Sequence, residues 1–533
     1  MRWRHSGSFL RMTEGGSRMR KACRFWALIM VVALLASPAF GVEAGTMTPE
    51  KETAVKWLDT HAAVGAETAT YIWHNPELGL GEHKSSAVLQ EMLKSAGFKV
   101  ESGTAGMKTA FVASWGEGKP VIGIHAEYDA LPGLSQAAGV AEEKILVEGC
   151  PGHGCGHNLF GTYSSMAAIA VKKAMEAHGI KGTIKLFGTP SEETLVGKAF
   201  FVKEGIYKDA DAVLSWHPGT DNSVSYASSL AMDNFKVRFH GKASHAASAP
   251  WAGRSALDAV ELMNIGMNYM REHVRPESRI MYSIPDGGKA PNVVPPYSEV
   301  WYFIRAPQYK MVKEIVDWSK KVAEGAALMT QTRMEFVPIT AVWQYLPNQV
   351  LAKVGIANAL LLGTPPFTDE DEKIAEPFSR SLKEEKGPFL SREFRQFDYD
   401  KPFSWATGGG SIDEANTSWV VPMVRFSGST LAKGTPGHSW QSVAQNILPP
   451  AFKASLTVSK YMAATALDLF ADPKLLEDAK AELKASNEKH GPFVDPVKDV
   501  SLPTFQLMHN VEESQVPVQT KGDLPLPDFS TLK

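Results

Sequence analysis

Short uninterrupted apolar runs alternate with segments of helical periodicity along most of the chain. The clearest runs lie at 121–125 (VIGIH), 183–188 (TIKLFG), 212–216 (AVLSW) and 421–426 (VPMVRF). Runs of this kind are typical of strands covered on both faces, and strands alternating with helices favour a mostly parallel sheet. The pattern therefore predicts an α/β catalytic domain.

The pattern changes between residues 231 and 340. Phe235, Val237 and Phe239 alternate with basic residues, which predicts a half-exposed strand. Apolar stripes then predict, in order, a helix, two strands, a second helix and a last strand, the βαββαβ order of a ferredoxin-like α+β sandwich. Because the parallel-sheet pattern resumes afterwards, we predict an inserted domain at 231–340 between two parts of the catalytic domain, 45–230 and 341–475. Residues 476–533 are then a C-terminal extension, predicted to lie mainly on the surface.

The first 44 residues have the layout of a secretory signal peptide. An uncharged run at 25–36 (FWALIMVVALLA) follows the basic segment MRKACR and precedes small residues. A helix of that length spans about 18 Å, less than the roughly 30 Å of a hydrocarbon core, so no stable membrane anchor is expected. We predict export to the periplasm or the exterior, with cleavage after Gly41 or Ala44 and Met19 as an alternative start.

Composition excludes several other classes of protein. The chain has 533 residues, of which 44% are hydrophobic and 21% charged, as expected for a globular protein of several domains. Without the leader it carries 48 basic and 56 acidic residues, a net charge of −8. No basic stripe with interleaved aromatic residues is present, so we expect no nucleic-acid partner.

Two cysteines, Cys150 and Cys155, remain after the leader. One interpretation is a disulfide between them, since an exported protein usually permits disulfides. That loop would be very tight and would gain little chain entropy. The neighbouring histidines favour a second interpretation, in which Cys155 is a metal ligand.

Side chains that carry chemistry cluster after the predicted strands. They are His125, Glu127 and Asp129 after the first, Glu192 and Glu193 after the second, His217 at the end of the third, His438 after the fourth, and Cys155 and His157 in a glycine-rich turn before a helix. The carboxyl ends of strands in an open α/β sheet converge on one crevice. Imidazole, thiolate and carboxylate together bind zinc-like ions, and more than four ligands indicate two ions.

The adjacent carboxylates Glu192 and Glu193 suit two different roles. One can bind a metal ion while its neighbour stays free to take a proton from the water that the metal activates. The free carboxylate can later pass that proton to a leaving amine.

Seven segments carry a resemblance to a known family. They are, in order, HAEYDALPGLSQ, GHGCGHN, TPSEE, SWHPG, GKASHAA, NVVP and TPGHSW. The chain resembles, over roughly residues 50–470, the aminoacylase and carboxypeptidase-type family of dinuclear metallopeptidases and amidohydrolases. Within that family it is most similar to the branch that hydrolyses p-aminobenzoyl-glutamate. The resemblance implies a zinc-exopeptidase-like catalytic domain and an inserted domain that dimerises.

The resemblance also implies a role for each site residue. Two divalent ions, Zn or Mn, would be bridged by Cys155 and held further by His157, Glu193, His217 and His438. Glu192 would be the general base and acid. Of the inserted domain's residues, His245 would reach the partner's active site, and Asn292 and Arg305 would bind substrate. The alternative for His245 is a surface histidine on an exposed edge.

The sequence departs from the family pattern at His125. Related amidohydrolases usually have Arg at this place, whereas other branches have a ligand histidine with Asp two residues on. His125 is therefore an alternative ligand to His157. We prefer His157 and expect His125, Glu127 and Asp129 to orient the ligands.

These observations predict a metal-dependent amidohydrolase that cleaves N-acyl or N-aroyl amino acids, such as p-aminobenzoyl-glutamate, or small dipeptides. A homodimer is expected, with a heteromer containing a sister subunit as the alternative. A second hypothesis is a catalytically silent or partner-dependent subunit of such a heteromer. A third, a cysteine hydrolase using Cys155 and His157, is disfavoured because their spacing suits shared ligation better.

Overall fold

The computed structural model describes residues 42–383, 386–520 and 524–532. Its strands are β1 (Lys99–Ser102), β2 (Phe111–Glu117), β3 (Val121–Ala126), β4 (Gly182–Gly188), β5 (Ala212–Gly219), β6 (Ser223–Ser225), β7 (Ala231–His240), β8 (Arg279–Asp286), β9 (Tyr297–Ala306), β10 (Arg333–Val342) and β11 (Met423–Ser429). Its helices are α1 (Pro49–Thr60), α2 (Ala62–His74), α3 (His83–Ser95), α4 (His157–His178), α5 (Gly197–Lys203), α6 (Ala256–Met270), α7 (Tyr309–Thr330), α8 (Gln349–Leu362), α9 (Asp369–Ser381), α10 (Glu414–Ser418), α11 (Trp440–Gln445), α12 (Pro449–Ala471), α13 (Pro473–His490) and α14 (Phe505–His509). The apolar run 25–36 of the predicted leader lies outside the described residues.

A mixed sheet forms the centre of the catalytic domain, with strand order β1-β2-β4-β3-β5-β11-β6. The four central strands, β4, β3, β5 and β11, run parallel, while β1, β2 and β6 add antiparallel edges. Both faces are covered: the neighbours Val213 and Leu214 on β5 belong to two different hydrophobic clusters. The predicted α/β fold with a mostly parallel sheet is confirmed.

Helix α4 is buried over most of its length between the sheet and helices α1 and α12. It begins directly after Gly156, whose φ of 81° lies in the left-handed region. A Cβ at this position would lie 2.9 Å from the Pro218 ring. Glycine therefore lets the chain turn tightly and brings the first residue of α4, His157, to the carboxyl ends of the strands.

A second sheet, with order β10-β7-β9-β8, is antiparallel throughout. Helices α6 and α7 pack against it, and Phe235, Val237 and Phe239 are buried in the core between them. The element order from β7 to β10 is βαββαβ, which confirms the predicted ferredoxin-like fold.

The C-terminal segment contributes to the core as well as to the surface. Val497 and Met508 are buried in the cluster that also contains Phe200 of α5. Close by, the Lys236 ammonium of β7 donates to the Asn510 side-chain carbonyl. The segment thus contacts both sheets. None of the helices in the described residues is long and apolar enough to cross a membrane.

Candidate metal centre and active site

The predicted site residues of the catalytic domain lie together at the carboxyl ends of the central strands. Three groups of their side chains place one potential ligand atom each within 4.8 Å of one another. The groups are Cys155 with His157 and His217, Cys155 with Glu193 and His438, and Glu127 with His157 and Glu192. Cys155 belongs to two of these groups, and His157 joins the first to the third.

Asp129 fixes the orientation of His157. Its Oδ1 lies 2.8 Å from His157 Nδ1, and both side chains are fully buried. Its Oδ2 accepts a hydrogen bond from the backbone N–H of Glu193 at 2.9 Å. One carboxylate therefore positions an imidazole and the loop that carries the two glutamates, as expected for a residue that orients metal ligands.

The opposite nitrogen of His157 faces two further carboxylates. Its Nε2 lies 3.2 Å from Glu127 Oε2 and 3.9 Å from Glu192 Oε2. Neither His157 Nε2, Glu127 Oε2 nor Glu193 Oε1 has a hydrogen-bond partner among the described residues, although all three atoms are buried. An unsatisfied buried polar atom costs about 1–3 kcal/mol. Cations bound by the ligand groups to which these atoms belong would satisfy them.

The remaining candidate ligands form two pairs whose side-chain atoms lie close together. Cys155 Sγ lies 3.2 Å from His217 Nε2, and His438 Nε2 lies 3.3 Å from Glu193 Oε2. His217 Nδ1 lies 2.7 Å from the carbonyl oxygen of Pro218, so this nitrogen carries the proton and Nε2 keeps its lone pair. A set of sulfur, nitrogen and oxygen donors fits divalent metal ions of the zinc type.

Burial favours the neutral forms of Cys155, Glu193, His217 and His438. It raises the pKa of Glu193 to about 8 and raises the pKa of the Cys155 thiol. It lowers the pKa of His217 well below its usual range and lowers that of His438. Neutral imidazoles have a free lone pair, which is the form that binds metal ions.

The surroundings of Glu192 favour the protonated form of its carboxyl group. Burial raises its pKa well above the usual range, and the negative charges of Glu127 and Asp413 raise it further. The pair Glu192 and Glu193 is therefore split in environment: Glu193 lies against His438, and Glu192 faces His157.

His125 takes a different position from the candidate ligands. Its Nδ1 lies 3.4 Å from Glu414 Oε1, and its ring packs edge-on against Phe187 and Tyr207. It belongs to none of the three potential ligand groups found in the described residues. Its neighbour Glu414 also lies 3.3 Å from the Arg425 guanidinium.

The three candidate residues of the inserted domain differ in their contacts with the metal-ligand groups. His245 is exposed, and its Nδ1 accepts from the backbone amides of Ala247 and Ser248 at 3.2 Å. Asn292 is also exposed, beside the backbone of the His245 loop. In the described part of this single chain, no hydrogen bond or ion pair joins either side chain to the metal-ligand groups. Arg305 on β9 interacts electrostatically with Glu192, and its Nε is buried without a partner there.

Several buried charges at the site were not predicted from the sequence. Lys198 is fully buried on α5, with its Nζ 2.7 Å from Glu127 and 2.6 Å from Asp413. The sequence gives only a weak signal for it, since Lys198 is one of two lysines in the otherwise apolar stretch GKAFFVK. Cys150 and Cys155 are both free thiols in the described chain, so the structure does not contain the disulfide of the alternative interpretation.

Comparison with known proteins agrees with this fold. The profile of the M20 peptidase dimerisation domain matches residues 231–328. The chain is 40% identical over 437 residues to one of the subunits of the p-aminobenzoyl-glutamate hydrolase of Escherichia coli K12, covering 78% of this chain and 91% of that protein. It is 29% identical over 451 residues to the Xaa-Arg dipeptidase of Mus musculus, covering 81% and 92%.

Solved structures show the same fold at lower identity. The aminobenzoyl-glutamate utilization protein of Klebsiella pneumoniae superposes with a TM-score of 0.52 at 17% identity, over 75% of this chain and 97% of that one. A dinuclear metal binding peptidase of Bacillus subtilis superposes with a TM-score of 0.50 at 17% identity, over 78% and 99%. Fold, site and relatives together define a hydrolase that acts on amide bonds. The chain belongs to the M20 family of metallopeptidases and amidohydrolases.

Proposed function

We propose that the chain binds two divalent ions, with Cys155 shared between them. His157 and His217 would complete one site, and Glu193 and His438 the other. The observation that supports this arrangement is that Cys155 belongs to two of the three potential ligand groups. A thiolate ligand favours Zn, while the carboxylates are also compatible with Mn.

The proposed reaction is hydrolysis of the amide bond of N-acyl or N-aroyl amino acids or small dipeptides. The names of the two relatives above, a p-aminobenzoyl-glutamate hydrolase and an Xaa-Arg dipeptidase, support this substrate class. The single observation that carries the reaction is the position of the Glu192 carboxyl beside the candidate ligands, with its Oε2 3.9 Å from His157 Nε2.

The protein's own groups would orient the reactants and move the proton. Divalent ions at such a site lower the pKa of water and polarise the carbonyl of the amide. Glu192 would take a proton at Oε2 from the attacking water and deliver it to the leaving amine as the amide C–N bond breaks. Asp129 keeps His157 in the orientation in which Nε2 faces the centre.

The inserted domain would complete the site in an oligomer. His245 is exposed and has no contact with the metal-ligand groups in the described part of its own chain, so we propose that it acts at a partner's centre. Arg305, whose guanidinium interacts with Glu192, and Asn292 would bind the substrate's carbonyl or carboxylate. A homodimer is the favoured assembly, and a heteromer with a sister subunit is the alternative. We also propose export to the periplasm or the exterior, on the basis of the predicted leader.

The experiment is hydrolysis of p-aminobenzoyl-glutamate, N-acyl amino acids and dipeptides after chelation and after addition of Zn or Mn. The Glu192→Gln variant is compared with Glu176→Gln, a control in the exposed last turn of α4. We expect turnover that requires metal and falls about 10²–10⁴-fold in E192Q only. Turnover that survives chelation or E192Q would contradict the proposal. No turnover by metal-loaded protein would favour the partner-dependent subunit instead.

A further inference from the structure

A short loop at residues 189–193, the glutamate loop, presents Glu192 and Glu193 to the candidate metal centre. Ser191 in this loop has a φ of 61°, in the left-handed region that residues other than glycine rarely adopt. Such a backbone conformation persists only where neighbouring contacts fix it. The contacts made to the backbone of the glutamate loop therefore determine where the Glu192 carboxyl lies.

Two buried carboxylates accept hydrogen bonds from the backbone amides on either side of Glu192. Asp129 Oδ2 accepts from the Glu193 amide at 2.9 Å. Glu82 Oε1 accepts from the Ser191 amide at 2.7 Å. Glu192 is thus the residue between two amides that are each held by a carboxylate.

Glu82 lies outside the candidate ligand set. Its side chain is fully buried and belongs to none of the three potential ligand groups found in the described residues. Its Oε2 pairs with the Thr109 hydroxyl at 2.8 Å. Burial, together with the negative charge of Asp129, raises the pKa of Glu82 well above its usual range. A glutamine at this position would therefore keep both the shape and the acceptor oxygen of the neutral carboxyl.

The turn that carries Glu82, residues 78–82, packs directly against Ser191. A Cβ at Gly79 would lie 2.5 Å from Ser191 Oγ and 2.8 Å from Ser191 Cα. On the opposite side of the turn, His509 of α14 donates from Nε2 to the Gly79 carbonyl oxygen at 2.8 Å. The turn is therefore held between the C-terminal extension and the glutamate loop, and glycine permits the close approach to the loop.

We propose that Glu82 is a positioning residue for the reaction, because its hold on the Ser191 amide keeps Glu192 where the carboxyl can take and return a proton. The inference rests on the proposed amide hydrolysis and adds to it a residue outside the ligand set. A general base must stay within hydrogen-bond reach of the proton that it takes. A displacement of about 1 Å can cost about 100-fold in rate. The two carboxylates then differ in effect: Asp129 acts on a metal ligand, and Glu82 acts on kcat.

The test measures kcat and KM of the Zn-loaded enzyme on p-aminobenzoyl-glutamate. Glu82→Leu removes both acceptor oxygens, whereas Glu82→Gln keeps the one that faces Ser191. The matched control is Glu77→Leu, because the Glu77 carboxylate accepts from the Lys84 and Ser85 amides at 2.9 Å in the first turn of α3.

We expect Glu82→Leu to lower kcat about 10–100-fold, with KM within about twofold of wild type, because the contacts that bind substrate are unchanged. Glu82→Gln should stay within about threefold of wild-type kcat, since the hydrogen bond from Ser191 is retained. Glu77→Leu should lower stability without changing kcat. A loss in Glu82→Gln equal to that in Glu82→Leu, or a loss that appears in KM alone, would overturn the inference.

Gly79→Ala tests the same contact if Glu82→Leu does not fold. The φ of Gly79 lies outside the left-handed region, so alanine fits its backbone and acts by pushing on Ser191. We expect kcat to fall about tenfold at unchanged KM. The control is Gly325→Ala on α7, where a Cβ would meet no atom within 4 Å. Equal kcat in the two glycine variants would contradict the role of this contact.

Two measurements without turnover separate this inference from the proposed hydrolysis. Hydrogen exchange of the peptide covering residues 189–195 should be faster in Glu82→Leu and Gly79→Ala than in wild type, Glu82→Gln and both controls. Zn affinity of Glu82→Leu should stay within about threefold of wild type, because Asp129 still holds the Glu193 amide. Faster exchange in these two variants supports the role of Glu82 even when wild type hydrolyses no amide, in which case only the proposed hydrolysis fails. Unchanged exchange in Glu82→Leu would overturn the inference.

Discussion

The Lys198 ammonium lies 2.7 Å from Glu127 Oε1, and both side chains are buried directly beneath the candidate metal centre. The other oxygen of Glu127 lies 3.2 Å from His157 Nε2. Although burial lowers the pKa of Lys198, the carboxylates of Asp413 and Glu127 outweigh it and hold that pKa well above its usual range. Lys198 therefore stays charged and fixes the carboxylate that faces the metal ligands.

Removing this ammonium should destabilise the fold. Lys198→Met leaves Glu127 and Asp413 as uncompensated buried carboxylates, and breaking a buried pair from one side costs about 3–5 kcal/mol. We expect that loss in the free energy of unfolding by guanidinium chloride, and partial recovery in Lys198→Met with Asp413→Asn. The exposed Lys208→Met serves as control and should stay within about 0.5 kcal/mol of wild type. Equal stability of the two single variants would contradict this role.

Asp129 should be required for metal affinity more than for folding. Asp129→Asn keeps the side-chain shape but removes the charge that orients His157 and replaces one acceptor oxygen by a donor. We expect Zn affinity to fall about 10–100-fold, measured by competition with a chromophoric chelator. Asp398→Asn, at a half-exposed position paired with Lys401, is the matched control. Unchanged Zn affinity in Asp129→Asn would show that His157 is held by other contacts.

The fold could be predicted because burial on two faces is visible in the sequence. Adjacent residues such as Val213 and Leu214 enter different cores, so both must be apolar and the run is uninterrupted. The clustering of His125, His157 and His217 followed from a general rule about strand ends. The roles assigned to those residues remain predictions.

Contacts between residues that are far apart in the chain could not be predicted from the sequence. Lys198 and Asp413 are 215 residues apart, and no spacing rule connects them. Tyr345, Arg395 and Arg425 likewise line one cavity only because three separate segments fold against each other. Such contacts depend on loop conformation, which local periodicity does not encode.

Asp233 on β7, which is not part of the metal centre, should make the free energy of unfolding depend on pH. Burial raises its pKa to about 7, although Lys320 and the Tyr309 hydroxyl lower it. The folded state therefore binds its proton more tightly than the unfolded chain, whose aspartate pKa is about 3.9. This contribution to stability is complete below about pH 4 and is lost as the pH rises through about 7.

Asp233→Asn should remove that loss. Between pH 4 and pH 8, we expect the free energy of unfolding of the variant to rise relative to wild type by on the order of 2 kcal/mol. This is about half of what the full pKa shift of Asp233 would give, because the side chain is partly exposed. Urea unfolding at the two pH values measures the difference. The control Asp400→Asn, an exposed residue paired with Lys353, should show no such change. If Asp233→Asn and wild type differ in free energy of unfolding by the same amount at both pH values, the raised pKa of Asp233 is contradicted.

Met508 should stabilise the fold although it lies in the C-terminal extension. It is 1% exposed and packs in a cluster with Val497 and Phe200, which joins the extension to the catalytic domain. Met508→Ala leaves a cavity in this cluster, and such changes cost about 2–5 kcal/mol. Val518→Ala, at a position 65% exposed in the same extension, should cost less than about 0.5 kcal/mol. Chemical unfolding of both variants measures the two costs. Equal, small costs would show that the extension lies on the surface without contributing to the core.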